Sequence, residues 1–325
     1  MRIALDPWGS DYGSQINAPH EVDAEETSVL ALEERIEERP WVPVDPQPAI
    51  FPEETAVVDG VMRSDSPAMV IDGERRALAL FGSYAAGAVV INAQVQVKHD
   101  QVVRLFIAGS NWPQPDDITL TAEHSAPLCY HGMSSKADTY DRLREALTAE
   151  MRQSETQVAE MLSAPDTLIL ADGNLTFFSG SSSVVGVIKT IHKMYLSSKR
   201  AAILERLQPG QRTPLFRIVS GRKNDGYSVL TCYLRLARPQ LIELPFAGLV
   251  RLEVRASLGE EKAVMLLDQA AMKVFELASR APKDPRAPQN LIPIGGLERQ
   301  LRHKLGDPQL VLRRIKNRVR AMVEQ

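Results

Sequence analysis

The chain of 325 residues is poor in cysteine, and its first residues lack the apolar stretch of a secretory signal. Its two cysteines, Cys129 and Cys232, lie far apart and do not have the spacing of metal ligands. We therefore predict two buried thiols rather than a disulfide or a zinc site, which fits the reducing cytoplasm.

Long hydrophobic runs are also missing. One uncharged stretch, residues 77–97, has the length of a membrane span, but it contains glycines and several polar side chains. Asn92, Gln94 and Gln96 alternate there with apolar neighbours, as in a half-buried strand. We predict no membrane segment.

Several catalytic signatures are absent as well. The sequence contains no P-loop, no dinucleotide-binding glycine pattern, no nucleophile elbow and no zinc-site spacing. Nucleotide-driven and hydrolase-triad chemistries therefore have no support.

The charge of the chain is unevenly distributed, although its 44% hydrophobic residues are ordinary for a globular protein. Residues 1–60 contain fourteen acidic and three basic residues, whereas residues 281–325 contain ten basic and four acidic ones. This asymmetry suits a polyanionic substrate or contacts between subunits. Solvated charged surfaces explain any single cluster equally well.

Prolines and acidic residues set residues 1–53 apart, and we predict an N-terminal arm there with one short helix around 28–39. Residues 54–325 form the predicted main domain, with a surface connection over 111–133. The predicted strands cover 55–59, 68–71, 76–81, 88–97, 102–107, 167–171, 184–188, 215–219, 228–236 and 249–254. The predicted helices cover 138–163, 199–207, 260–279, 294–304 and 308–323. This order predicts an α/β fold with a mixed sheet flanked by helices.

Two of the short apolar strands end in Asp-Gly, at Asp59 and at Asp172. A buried strand that ends on an aspartate would place the carboxylate at the edge of the sheet. An ordinary Asp-Gly turn is the alternative for each of them, but two such ends in one sheet favour a shared role.

Glu155 interrupts the apolar stripe of the predicted helix 138–163, four residues after Met151 and three before Val158. Glu160 falls on the side facing solvent. A carboxylate on the buried face needs a cationic partner, a protonation shift or a metal ion, and a buried ion pair remains an alternative.

Lys189 follows a third apolar run, and a lysine beside such carboxylates could hold a phosphate, although it could also simply end the strand. His192 lies three residues on, where a surface histidine is the alternative. Near the end of the chain, basic residues including Arg299, Arg302 and His303 could follow a phosphate backbone or form a solvated helix face.

These motifs together resemble the NurA family of DNA-processing nucleases, in particular its bacterial branch. The likeness spans about residues 55–307 and is carried by segments 58–60, 151–155, 171–173, 185–189, 288–291 and 297–298. It implies an RNase H-like nuclease domain, cleavage of DNA with Mn²⁺ or Mg²⁺, a homodimer and a HerA-type hexameric helicase as partner in DNA end resection. It also implies that Asp59, Glu155 and Asp172 are metal ligands. In the mechanism that we predict, Lys189 contacts the phosphate.

The last motif departs from the archaeal pattern of a tyrosine and a histidine eight residues apart. Asn290 and Glu298 stand at these positions. Glu298 could still supply an oxygen to the metal, and His303, one turn further on, is the other candidate for the fourth ligand.

We therefore predict a cytoplasmic, metal-dependent deoxyribonuclease. Two alternatives remain. A non-catalytic adaptor would dock on a DNA motor and guide DNA, and the changed last motif keeps this reading open. A recombinase or resolvase on the same fold would cut junctions rather than degrade ends.

Overall fold

The structure is a computed structural model. It describes residues 29–32, 36–37, 39–123, 125–178, 183–191, 193–220, 227–241, 243–280 and 286–323, with the backbone alone at 29–32, 220 and 323. The chain divides into two compact units. The first unit comprises Met1–Val57, Val89–Gln96 and Ala159–Gly295, and the second comprises Val58–Ala88, Val97–Val158 and Gly296–Gln325.

The described residues form eleven strands and six α-helices. The strands are β1 (Val29–Leu32), β2 (Glu54–Asp72), β3 (Arg75–Ile91), β4 (Val95–Ala108), β5 (Ile118–Ala122), β6 (Ser125–Ser134), β7 (Thr167–Asp172), β8 (Val184–Ile188), β9 (Phe216–Ser220), β10 (Ser228–Arg235) and β11 (Leu249–Arg255). The helices are α1 (Tyr140–Met161), α2 (Ser198–Ala201), α3 (Ile203–Arg206), α4 (Glu260–Leu277), α5 (Ile292–Lys304) and α6 (Pro308–Val323).

The first unit contains a mixed sheet in the order β1-β9-β10-β11-β8-β7. Only β7 and β8 are parallel, whereas the other pairs are antiparallel. Apolar side chains alternate along these strands and fill both faces, as a sheet covered on both sides requires. Helix α4 packs on one face through side chains at helical spacing, among them Leu267, Ala271 and Val274. Helix α3 and its flanks pack against the other face.

The second unit contains strands in the order β2-β3-β4-β6-β5, with β4 and β6 parallel and β5 and β6 antiparallel. Helix α1 packs on it through Leu143, Leu147 and Met151. Helix α6 contributes Val311 and Ile315 to a separate apolar cluster. Strands β2, β3 and β4 each contribute residues to both units.

The predicted fold class, a mixed α/β protein with a large mixed sheet and flanking helices, is confirmed, and it is consistent with an RNase H-like architecture. The helices predicted at 138–163, 260–279, 294–304 and 308–323 are all present. The uncharged stretch 77–97 lies mostly in strands β3 and β4, which confirms that it has strand character. In the described part of the chain, no helix is long and apolar enough to cross a membrane.

Three local predictions are wrong. Within the helix predicted at 28–39, residues 29–32 instead form strand β1, which pairs with β9, and residues 28, 33–35 and 38 lie outside the described residues. The supposed surface connection 111–133 contains β5 and most of β6, whose pairing a single sequence does not reveal. Strand β2 does not end at Asp59 but continues to Asp72, so this aspartate lies inside a strand of 19 residues.

The described part of the proline-rich segment packs on the rest of the first unit. Trp41 donates to the Arg200 carbonyl at 3.1 Å and lies edge-on to Phe216. The Glu37 carboxylate receives both terminal nitrogens of buried Arg212, at 2.9 and 3.0 Å. The division into an arm over 1–53 and a main domain over 54–325 stays a prediction.

Candidate active site

In the second unit, Glu155 of α1 lies against strand β2 immediately after Asp59. A Cβ atom added to Gly60 would meet the Glu155 Oε1 at 2.6 Å and the Met151 Cγ at 2.9 Å. Since side chains alternate along a strand, it is residue 60 that faces α1, and the carboxylate occupies the space that a side chain there would fill. The absence of a side chain at Gly60 thus lets the Glu155 carboxylate reach the backbone beside Asp59.

Both carboxylates are withdrawn from solvent. Asp59 is 6% exposed and Glu155 is 5% exposed, whereas Glu160 is exposed, as its helical position predicts. Arg152, one turn earlier on α1, places a terminal nitrogen 3.4 Å from the Glu155 Oε2. The predicted position of Glu155 on the buried face of its helix is therefore confirmed.

In the first unit, Asp172 is the last residue of β7, as predicted. Gly173 follows with a φ of 101°, a value that favours glycine. The Lys189 Nζ lies just beyond β8, which is parallel to β7, and donates to the Asp172 Oδ2 at 2.7 Å. The pair lies at the carboxyl ends of two parallel strands.

The same ammonium also donates to the Asn290 Oδ1 at 2.9 Å. Asn290 is fully buried, and its carbonyl accepts from the Ser279 backbone at 2.8 Å. The residue at which the last motif departs from the archaeal tyrosine thus holds the lysine beside Asp172. Sequence reasoning singled out this position but did not predict its partner.

Glu253, in the interior of β11, is a residue that sequence reasoning did not assign to the site. It is fully buried, and its Oε1 accepts from the Leu175 backbone and from the Tyr227 hydroxyl, both at 2.9 Å. The Arg251 guanidinium donates to its Oε2 at 2.8 Å. Burial and the Glu253 charge raise the pKa of Tyr227, which keeps that hydroxyl a donor.

Glu253 therefore supports the turn that follows Asp172. Its partner in the β8–β11 register is Gly186, where an added Cβ would meet the Gly173 carbonyl oxygen at 2.7 Å and the Glu253 Cγ at 3.1 Å. The glycine leaves room for both. Two charged residues, Arg251 and Glu253, in the otherwise apolar run 249–254 were the available signal in the sequence.

The remaining candidates that the structure describes lie on α5 in the second unit. Glu298 is partly buried, and Arg302 places a nitrogen 3.5 Å from its carboxylate, at the limit of a hydrogen bond. Arg299, Arg302 and His303 are exposed. His192 lies outside the described residues.

A different group of possible metal ligands occurs in the second unit. Among the described residues, Asp117, Cys129 and His131 are the one trio whose ligand atoms all lie within 4.8 Å of one another. Cys232 is buried, as predicted, and burial raises its pKa to about 12. Cys129 is only half-buried, and the prediction of a buried thiol is wrong for it because its strand has one face open to solvent.

Comparison with known proteins identifies the family of this chain. No curated protein matches the chain. Among solved structures, "Crystal structure of the NurA nuclease from Sulfolobus solfataricus" is 9% identical, with a TM-score of 0.46 and 92% of each chain covered. "Crystal structure of NurA" is 18% identical, with a TM-score of 0.19 over 42% of this chain and 22% of that one. "Crystal structure of NurA with manganese" is 15% identical, with a TM-score of 0.17 over 41% and 23%.

The sequence model of one family, described as the NurA domain, matches residues 63–294. The match includes Glu155, Asp172, Lys189 and Asn290, begins after Asp59 and ends before Glu298. Because it spans well over half of the chain, the protein belongs to the NurA family.

Proposed function

We propose that this protein is a nuclease that hydrolyses DNA phosphodiester bonds with a divalent metal ion. The observation that carries the proposal is the position of Asp172 beside the Lys189 ammonium, at the carboxyl ends of two parallel strands. Asp59 and Glu155 are two further carboxylates that are withdrawn from solvent. Membership of the NurA family supports the same function.

The donor chemistry fits Mn²⁺ or Mg²⁺. Asp59, Glu155 and Asp172 offer hard carboxylate oxygens, which these ions prefer over the nitrogen and sulfur ligands of zinc. We assign the three residues as metal ligands and Glu298 as the candidate fourth. When bound, the metal would lower the pKa of the attacking water and stabilise charge on the leaving oxygen.

Lys189 has two tasks in this proposal. Its ammonium orients the Asp172 carboxylate, and Asn290 holds the ammonium in place. An ammonium has three N–H donors, and these two contacts use two of them. The third is the donor that we assign to an oxygen of the scissile phosphate.

Basic side chains would hold the DNA backbone. Arg299, Arg302 and His303 are exposed along α5, and charge of this kind binds phosphates without reading sequence. We add His192 to this group on the sequence pattern alone.

The test is a nuclease assay of the purified full chain on linear DNA with Mn²⁺, with Mg²⁺ and with chelator. We expect Glu155→Gln and Asp172→Asn each to reduce the rate at least about a hundredfold, because each removes a charged oxygen ligand. The matched control is Glu160→Gln, which changes an exposed glutamate of the same helix and should retain the rate. Mn²⁺ binding measured by calorimetry should weaken in the two site variants alone.

An equal, metal-independent rate in all variants would instead favour the non-catalytic adaptor. Cuts confined to DNA junctions would favour a recombinase or resolvase.

We further propose that the enzyme acts in the cytoplasm as a homodimer, together with a HerA-type hexameric helicase, in DNA end resection during double-strand break repair. The support for this is the family alone. Light scattering of the purified protein should give twice the mass of the 36.0 kDa chain. A translocase of this class should co-purify with it, and a monomer that binds no hexamer would contradict the assembly while leaving the nuclease assay unaffected.

A further inference from the structure

A second group of metal-ligating side chains lies on the β5–β6 hairpin. The antiparallel register pairs Thr119 with Cys129. Cys129 and His131 are two residues apart on β6, so they lie on the same face of the strand, while Tyr130 between them is fully buried. Asp117 immediately precedes β5 and approaches them from across the hairpin. Three different donor types thus converge on one exposed face.

The distances suit a small ion. The His131 Nδ1 lies 2.8 Å from the Asp117 Oδ2, and the Cys129 Sγ lies 3.9 Å from the same oxygen. Ligand atoms around a tetrahedral zinc ion, with bonds of about 2.0–2.3 Å, are roughly 3.3–3.8 Å apart. Shifts of less than about 1 Å would therefore bring these atoms to coordination distances.

A backbone hydrogen bond orients the Asp117 carboxylate toward the other two side chains. The Gly132 N–H donates to the Asp117 Oδ1 at 2.9 Å, which leaves the Oδ2 directed at the thiol and the imidazole. That backbone hydrogen bond, followed by the one to His131, lowers the pKa of Asp117.

We propose that Asp117, Cys129 and His131 form a zinc site, with water in the fourth position. A thiolate, an imidazole and a carboxylate are the ligands that zinc takes in proteins, whereas Mn²⁺ and Mg²⁺ prefer oxygen alone. The site is open, since the Asp117 and His131 side chains are 54% and 59% exposed. On binding, the Cys129 thiol and any protonated His131 would release their protons to solvent, and the ion would join β5 to β6.

The test uses the full chain with Zn²⁺ and with Co²⁺ as a spectroscopic substitute. We expect one ion per chain and, with Co²⁺, the near-ultraviolet charge-transfer band of a thiolate ligand. Cys129→Ser should abolish this band, and His131→Asn should weaken zinc binding at least about tenfold. The matched control is His99→Asn, which changes an exposed histidine whose positive φ of 53° asparagine tolerates.

Zinc binding of equal strength in Cys129→Ser, His131→Asn and His99→Asn, or no thiolate band in the unsubstituted protein, would overturn the proposal. The trio would then be an ordinary Asp117–His131 ion pair with an adjacent thiol. Metal binding is the readout here, so failure of this site leaves the Mn²⁺-dependent nuclease assay untouched.

Discussion

At the scale of single residues, Gly60 decides whether a carboxylate can reach strand β2. The chemistry of Asp59 and Glu155 identifies them as candidates from the sequence alone. Nothing in the sequence shows that the absence of a side chain at Gly60 leaves the space that the Glu155 carboxylate occupies. The structure shows it, because the Glu155 Oε1 lies 2.6 Å from the position that a Cβ atom at residue 60 would take. An Asp-Gly pair that reads as a turn thus serves as a close contact within a strand.

Gly60→Ala should therefore reduce nuclease activity by on the order of a hundredfold, because a misplacement of about 1 Å at a catalytic group has an effect of this size. We expect the free energy of unfolding to fall by about 1–3 kcal/mol as the methyl group crowds Glu155 and Met151. Steady-state cleavage rates and urea denaturation measure the two effects.

The control is Gly296→Ala on α5, where nothing lies within 4 Å of an added Cβ. Full activity in Gly60→Ala would mean that Glu155 does not need its present position.

At the scale of secondary-structure elements, strands β7, β8 and β11 position Asp172 and Lys189 in the first unit. The parallel pairing of β7 and β8 brings Asp172 and Lys189 together. Glu253 of β11 accepts a hydrogen bond from the backbone of the turn that follows Asp172. Local sequence patterns predicted all three strands, since each is a short apolar run. They could not predict which strands are neighbours, because pairing depends on residues far apart in the chain.

Glu253→Gln tests this support. The substitution keeps the shape of the side chain but leaves the Arg251 guanidinium without its buried anionic partner. We expect a loss of about 3 kcal/mol in the free energy of unfolding and a lower cleavage rate, because the turn after Asp172 loosens.

Glu276→Gln, on an exposed glutamate of α4, should change stability by less than about 1 kcal/mol. If denaturation curves of the two variants coincide, Glu253 does not hold the turn.

At the scale of the whole molecule, one buried cation connects the N-terminal segment to the rest of the first unit. Arg212 is fully buried and binds Glu37 through two nitrogens and Asp268 through its Nε at 2.6 Å. Burial alone would raise the pKa of Glu37, but the hydrogen bond and charge of Arg212 outweigh it and hold that pKa below its usual value.

The lowered pKa of Glu37 makes the stability of the protein depend on pH. A carboxylate with a lowered pKa in the folded state stabilises the protein above its unfolded pKa, near 4.5, and loses that contribution as the pH falls through the folded value. We therefore expect thermal stability to drop below about pH 4.5. In Glu37→Gln the stability at neutral pH should be lower by about 3–5 kcal/mol and the acid-induced drop smaller, because Arg212 has lost a buried partner.

Melting temperatures from neutral pH to well below 4.5 provide the measurement. Asp45→Asn changes an exposed carboxylate of the same segment and should follow the parent curve. A parent-like acid profile in Glu37→Gln would contradict the assignment.

The sequence by itself determined the periodicity of the helices and strands and the α/β class. It also determined that Glu155 lies on the buried face of its helix and that β7 ends at Asp172. These features follow from residues that are neighbours in the chain. Tertiary structure decided the rest. Strand neighbours, the close approach at Gly60, the anchoring of Lys189 by Asn290 and the buried support from Glu253 all join residues distant in sequence. Such contacts depend on packing and on satisfying buried charges, and no local pattern encodes them.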